Sequence, residues 1–169
     1  VSISMARELG FKKVVCATTG NHGTSLAAYS AAAGLECTIF CHPQTPQVQQ
    51  DLIRFYGARS ILLKERTQYL STLVRDYGYY PATTLSPMPV SNPFGVEGYK
   101  TIAYEVNLQL DGRVPDRVYA PVAAGDGLYG IWKGMTELKT MGIVDRLPRM
   151  FGCQAKGCNP FVRSFKAKR

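Results

Sequence analysis

Two short stretches of the chain carry residue types and spacing suited to holding an anion. The first is Thr18, Thr19, Gly20, Asn21, His22 and Gly23, between the apolar run 14–17 and a small-residue helical pattern over 24–33. A strand, a tight Gly-containing turn and a helix start, in that order, aim backbone N–H groups and short hydroxyl or amide side chains at one point. The second is Ala123, Ala124, Gly125, Asp126 and Gly127, after Pro121 and Val122 and before Leu128. Absent side chains there let N–H groups approach a phosphate closely, and the dipole of the following helix adds to the attraction. An ordinary strand-to-helix connection also needs Gly and a cap, so spacing alone leaves a plain turn open at both places. A carboxylate repels a phosphate, so Asp126 is expected to turn away and cap the helix through an N–H two or three residues on.

The elements that must position these stretches read as an α/β alternation. Helical patterns cover 4–9, 24–33, 47–56 and 67–77, ended by Gly10, Gly34, Gly57 and Gly78, with strands at 14–17, 37–41 and 60–63 between them. From 79 to 95 the pattern breaks, with Pro81, Pro87, Pro89 and Pro93 among Ser and Thr, and reads as a crossover. A helix follows over 96–110, with Glu97 in its first turn favouring the dipole. Then come a strand at 118–122, a helix at 127–141 and a strand at 149–154. Repeated strand–helix units predict parallel sheets covered on both faces. The expected division is a small α/β domain over 1–84 and a large one over 85–169.

Composition narrows the function classes. Of 169 residues, 46% are hydrophobic and 19% charged, an ordinary globular profile. The net charge of +8 comes from scattered cations, with Lys166, Lys168 and Arg169 grouped only at the end. No basic stripe interleaved with aromatics appears, so a nucleic-acid partner is not expected. No apolar run approaches the roughly 18 residues that span a bilayer, and no charged and then apolar leader opens the chain. Neither a membrane partner nor secretion is expected. Among the five cysteines, Cys37 and Cys41 share a strand face beside His42. No second ligand pair has zinc-type spacing, so the cysteines read as reduced structural thiols of a cytoplasmic protein, with no metal. A metal site at Cys37, Cys41 and His42 stays as an alternative.

The first turn and its continuation, Ser25, Leu26, Ala27, Ala28 and Tyr29, resemble the substrate and cofactor loop of the fold-type II pyridoxal-phosphate enzymes. That family includes the tryptophan synthase β chain, threonine synthase, serine/threonine dehydratases and cysteine synthase. Residues 92–101 (NPFGVEGYKT), 132–134 (WKG), 145–150 (DRLPRM) and 154–160 (QAKGCNP) resemble threonine synthases in the same order along the chain. A dinucleotide-binding protein is disfavoured, because no Gly-x-Gly-x-x-Gly follows the first strand.

The resemblance implies pyridoxal 5'-phosphate as cofactor and a small amino acid as substrate. Asn21 would meet the phenolic oxygen of the cofactor ring, and Thr18, Thr19, Gly20 and His22 would cradle the substrate carboxylate. Ala123, Ala124, Gly125, Asp126 and Gly127 would hold the cofactor phosphate. The implied fold is two parallel-sheet, three-layer units, incomplete at both ends, and the implied activity is that of a lyase, homo-oligomeric when full length. The family's Schiff-base lysine lies before its counterpart of the opening helix, whereas Lys12 and Lys13 follow that helix. No catalytic residue is therefore assigned within the chain, and an inactive fragment is expected. Gly95, Ala124 and His22 stand where threonine synthases carry Arg, Asn and Thr, which implies a substrate other than O-phosphohomoserine. The alternative is a non-catalytic binding or regulatory module of the same fold.

Overall fold

The computed structural model describes residues 1–82 and 92–167. Much of the expected crossover, including Pro87 and Pro89, lies outside the described residues, as do the proposed domain boundary and the terminal pair Lys168 and Arg169. The chain divides into two compact units, Val1–Gly95 and Val96–Arg169.

In the first unit the elements are α1 (Ser2–Glu8), β1 (Lys13–Thr18), α2 (Asn21–Ala33), β2 (Glu36–Cys41), α3 (Gln47–Phe55), β3 (Arg59–Leu62), α4 (Thr67–Tyr77) and β4 (Tyr80–Pro81). The sheet runs β3-β2-β1-β4 with every pair parallel. Side chains alternate between its faces. Val14 and Cys16, with Cys37, Ile39 and Cys41, pack against Ile3, Ala6, Leu26, Ala27 and Ile53 on one face. Val15 and Phe40 pack with Leu70 and Tyr79 on the other. Cover on both sides is why β1 and β2 read as unbroken apolar runs.

Two expectations for this unit change. The helix after β1 begins at Asn21 rather than three residues later, so half of the polar turn is already helical. The segment read as pure crossover opens with β4, where Tyr80 and Pro81 pair with Val14 and Val15. Pro81 can sit there because β4 is an edge strand, whose outer N–H positions need no partner. Asn92 then pins the next helix, α5 (Pro93–Gly98). Its Nδ2 donates to the Tyr80 hydroxyl and the Pro81 carbonyl, and its Oδ1 accepts from the N–H groups of Phe94 and Gly95. Asn before Pro at the first helical position is a strong helix start, so the helix expected at 96 begins at 93.

The cysteines split. All five are free thiols, Cys16, Cys37 and Cys41 buried and Cys153 and Cys158 exposed, so a structural role in the core fits the first three. Burial pushes the Cys37 thiol up to about 11 and that of Cys16 well above its ordinary value, so both stay protonated and inert.

In the second unit, α6 (Lys100–Gln109), β5 (Arg117–Pro121), α7 (Asp126–Thr140), β6 (Arg149–Cys153) and α8 (Pro160–Lys166) follow one another. The single helix expected over 96–110 is broken at Tyr99, and α8 was not expected. β5 and β6 pair in parallel. Ala103 of α6 and Ile131, Met135 and Leu138 of α7 cover one face with Ala120 and Val114. Tyr119 and Phe151 stack on the opposite face, their ring centroids 4.7 Å apart. Among the described residues no helix is long and apolar enough to cross a membrane, and no group of three or more His, Cys, Asp or Glu is placed to hold a metal ion.

Helix α7 crosses close to α5 and α6 because Gly130 and Gly134 present no side chain. A Cβ on Gly130 would lie 2.4 Å from Tyr99 Cβ, and one on Gly134 would lie 2.7 Å from Ala103 Cβ and 2.8 Å from the Lys100 carbonyl oxygen. Ion pairs line the same seam. Lys100 Nζ meets Glu97 at 2.5 Å and Glu137 at 2.9 Å, Lys133 pairs with Glu97, and the Tyr104 hydroxyl donates to Glu137 at 2.5 Å. Hydrogen bonds from Lys100 and Lys133 hold the Glu97 carboxyl low, and those from Tyr104 and Lys100 do the same for Glu137. The same contacts raise Lys100 and Tyr104.

Two predictions follow from this seam. Gly134→Ala should cost about 1–3 kcal/mol by forcing backbone apart, measured by denaturant unfolding. Gly157→Ala, facing open space, should leave stability unchanged. For pH, depressed carboxyls stabilise the fold above their unfolded value of 4.5, and that contribution is lost as pH falls through the folded value. Raised Lys100 and Tyr104 stabilise below their unfolded values of 10.5 and 10.0, and that contribution is lost on alkalinisation. The melting temperature should therefore fall below about pH 4.5, and Glu137→Gln should flatten that acid limb. An unchanged acid limb in this variant would assign the loss elsewhere.

Candidate functional site

The first candidate site is the turn from β1 into α2, and one hydroxyl builds it. Thr18 is buried, and its Oγ1 accepts from the N–H groups of Gly20 at 3.0 Å and Gly23 at 3.2 Å while donating to the Gly20 carbonyl. These bonds fold the chain back on itself and set Gly20 as the N-cap of α2, with no side-chain cap bond. Gly23 then rests directly on the sheet, where a Cβ would lie 2.6 Å from Thr18 Cγ2 and 3.1 Å from Ile39 Cγ2. The first four N–H groups of a helix have no partner within it, and α2 has 13 residues to build a dipole behind them.

The residues expected to bind here fall into two sets. Thr18 and Gly20 are buried and hold the turn, whereas Thr19, Asn21 and His22 are exposed at its surface. His22 Nε2 donates to the carbonyl of Ala82 at 2.8 Å, joining the start of α2 to the end of β4. A carbonyl only accepts, so Nε2 carries the hydrogen of this bond. Asn21 Oδ1 accepts from Gln49 Nε2 of α3 at 2.6 Å. Gln49 was missed in the sequence, where nothing distinguishes it from its neighbours Gln47 and Gln50.

The second candidate site joins β5 to α7. Val122 N–H continues the ladder to the Cys153 carbonyl, and Gln154 Nε2 donates to the Val122 carbonyl while its Oε1 accepts from Val162 N–H. Gln154 thus fixes the base of the loop, a role visible beforehand only as part of a resembled motif. Ala123 and Ala124 are exposed, and Gly125 takes the cap position with φ +102°. A left-handed residue ahead of a helix strongly favours glycine. Helix α7 starts at Asp126, so this carboxylate sits in the first turn, with Gly125 at the cap position. The bonds that hold the loop base leave a short rim of methyl groups and bare backbone at the end of a 15-residue helix.

Lys12 and Lys13 are remote from the first turn. Lys13 opens β1, Thr18 ends it, and about 3.3 Å per residue separates them by roughly 17 Å. Its Nζ lies over the Tyr79 ring, 5.5 Å from the centroid. His42 turns locally, its Nδ1 accepting from Gln44 N–H.

Thr18→Val keeps the shape of the side chain and removes the hydroxyl. It should destabilise the protein by about 1–3 kcal/mol by stripping the buried Gly20 N–H of its acceptor and the Gly23 N–H of one of its two, whereas Thr18→Ser should retain most of that stability. Equal unfolding midpoints for the Val and Ser variants would show that the hydroxyl is dispensable.

Comparison with known proteins places this geometry in a family. The family model described as pyridoxal-phosphate dependent enzyme matches residues 1–169. The threonine synthase of Methanocaldococcus jannaschii is 38% identical over 174 residues, covering 99% of this chain and 41% of its own length. Among solved structures, a pyridoxal 5'-phosphate-dependent aspartate racemase superposes with a TM-score of 0.80 at 24% identity, over 99% of this chain and 49% of the racemase. The processed form of threonine deaminase isoform 2 from Solanum lycopersicum superposes with a TM-score of 0.75 at 22% identity, over 99% of this chain and 48% of the deaminase. The chain therefore spans about 41% of the threonine synthase and about half of each solved chain. With its parallel α/β architecture shared by the fold-type II enzymes and the family model matched throughout, the chain belongs to the pyridoxal-phosphate dependent enzymes.

Proposed function

We propose that this chain forms part of a pyridoxal-phosphate dependent lyase of the threonine synthase and dehydratase type, acting on a small amino acid by β- or γ-elimination, replacement or deamination. The observation that carries the reading is the 38% identity to a threonine synthase over 99% of the chain, spanning both candidate loops.

The residues present fit the cofactor. A phosphate needs converging N–H groups that its oxygens can approach closely. Ala123, Ala124 and Gly125 offer methyl groups or less, and a side chain at Gly125 is opposed by its φ of +102°. In this reading residues 123–127 hold the phosphate through backbone N–H groups at the start of α7. Asn21, exposed at the start of α2, donates to the phenolic ring oxygen. The substrate carboxylate is held by the N-terminal N–H groups of α2 and the hydroxyl of exposed Thr19. Thr18 and Gly20 keep those groups in place, and His22, whose Nε2–H is committed to Ala82, lines the turn. Bound pyridoxal 5'-phosphate supplies an electron sink for the pair left at the substrate Cα. Lys12 and Lys13 take no part, since they stand at the far end of β1, and the catalytic amine is assigned to no residue of the chain.

A full-length protein carrying Asn21→Ala should bind pyridoxal 5'-phosphate about tenfold more weakly, the magnitude of one hydrogen bond to a charged oxygen. Equilibrium titration of the apoprotein measures this. Unchanged affinity together with an unchanged absorption spectrum of the bound cofactor would sink the assignment of Asn21.

A further inference from the structure

We infer that Gln49 is a positioning residue that fixes which end of the Asn21 amide faces the cofactor ring, an inference that rests on the assignment of Asn21 proposed above. β1 and β2 are neighbouring parallel strands, with Thr18 in register with Cys41. The helices that follow them therefore start side by side at one edge of the sheet. The first turn of α3 contains three glutamines with different partners. Gln47 Nε2 donates to Asp51 one turn along its own helix. Gln50 is buried, and its Nε2 donates to the Thr45 carbonyl just before the helix. Gln49 alone of the three reaches out of its helix, and its Nε2 donates to Asn21 Oδ1 at 2.6 Å.

The direction of that bond matters. A primary amide has one end that accepts and one that donates. With Oδ1 occupied by Gln49, Asn21 presents Nδ2–H outward, as an electron-rich ring oxygen requires. Left alone, the amide could offer either end, and half of its orientations would set oxygen against oxygen. Gly20 makes room for the arrangement. A Cβ at Gly20 would lie 2.0 Å from Gln49 Oε1 and 2.8 Å from its Cδ, so any side chain there must displace the Gln49 amide.

The test compares two replacements whose ranking depends on this role. Gln49→Leu frees the Asn21 amide without replacing its partner. Gln49→Glu keeps size and reach but offers only acceptors, so it draws Nδ2 of Asn21 toward itself and turns Oδ1 to the ring. In the full-length protein, we expect pyridoxal 5'-phosphate affinity to fall about threefold for Gln49→Leu and about tenfold or more for Gln49→Glu. The absorption spectrum of the bound cofactor should shift in the same order as its ring oxygen loses a donor. A merely structural contact predicts the reverse order, because Glu is the better mimic of Gln. In an Asn21→Ala background both effects should vanish, as a double-mutant cycle requires of a residue that acts through another. Gln49→Glu binding as tightly as Gln49→Leu would overturn the inference. So would a Glu effect that persists in the Asn21→Ala background, which would mark direct charge repulsion. Asn21→Ala binding the cofactor with wild-type affinity is a different failure, since it removes the assignment of Asn21 and this inference with it. Thermal unfolding of each apoprotein variant separates loss of the fold from loss of orientation.

Discussion

The hydroxyl of Thr18 is the constraint on which the first candidate site depends. It lies at the last residue of β1, buried, with one donor and two acceptor directions, all engaged within five residues of chain. The Gly20 N–H, which would otherwise be orphaned against the core, is satisfied there, and the Gly23 N–H is shared between this hydroxyl and the Gly20 carbonyl. Because both are engaged, the chain can turn within two residues and place Gly23 directly against Thr18 and Ile39. The exposed faces of Thr19, Asn21 and His22 follow from that compaction. Removing the hydroxyl therefore unsettles every group that would touch a ligand without itself touching one.

The second candidate loop reaches a similar end by the opposite means. Gly125 in the left-handed region makes the turn, the Val122 N–H extends the β5–β6 ladder, and Gln154 holds the base from outside the loop. What remains exposed is backbone and methyl groups, which recognise charge and shape but distinguish little else. The first turn offers a hydroxyl, an amide and an imidazole. A group common to many reactions, such as a cofactor phosphate, suits the second kind of loop, whereas the first can address groups of differing chemistry.

The sequence disclosed the parts of this fold that depend on local chemistry. Gly34 and Gly78 stop α2 and α4 in the left-handed conformation, as their positions after amphipathic patterns imply. The apolar runs of β1 and β2 announce strands buried on both faces. β4 was hidden because two residues carry no period and one of them is proline; it exists through pairing with Val14 and Val15, a partner 66 residues away in the chain. The start of α5 was legible in Asn92 and Pro93 but was outweighed by the glycines and prolines around it. Gln49 was illegible in a stronger sense. Three glutamines within four residues look alike, and only the neighbouring helix start distinguishes the one that reaches Asn21.

His22 ties the first candidate site to a neighbouring strand. Its ring donates to the carbonyl of Ala82, at the point where the chain leaves β4. That carbonyl belongs to a residue 3% exposed, so the imidazole satisfies an acceptor that water reaches poorly. With Nε2 committed there, Nδ1 is the ring atom left for any other partner. In the reading proposed above, the substrate carboxylate is held by backbone N–H groups and Thr19, both indifferent to what lies beyond the carboxylate. In that reading, discrimination between amino-acid side chains comes from groups outside the turn, and the same turn can serve relatives that differ in substrate.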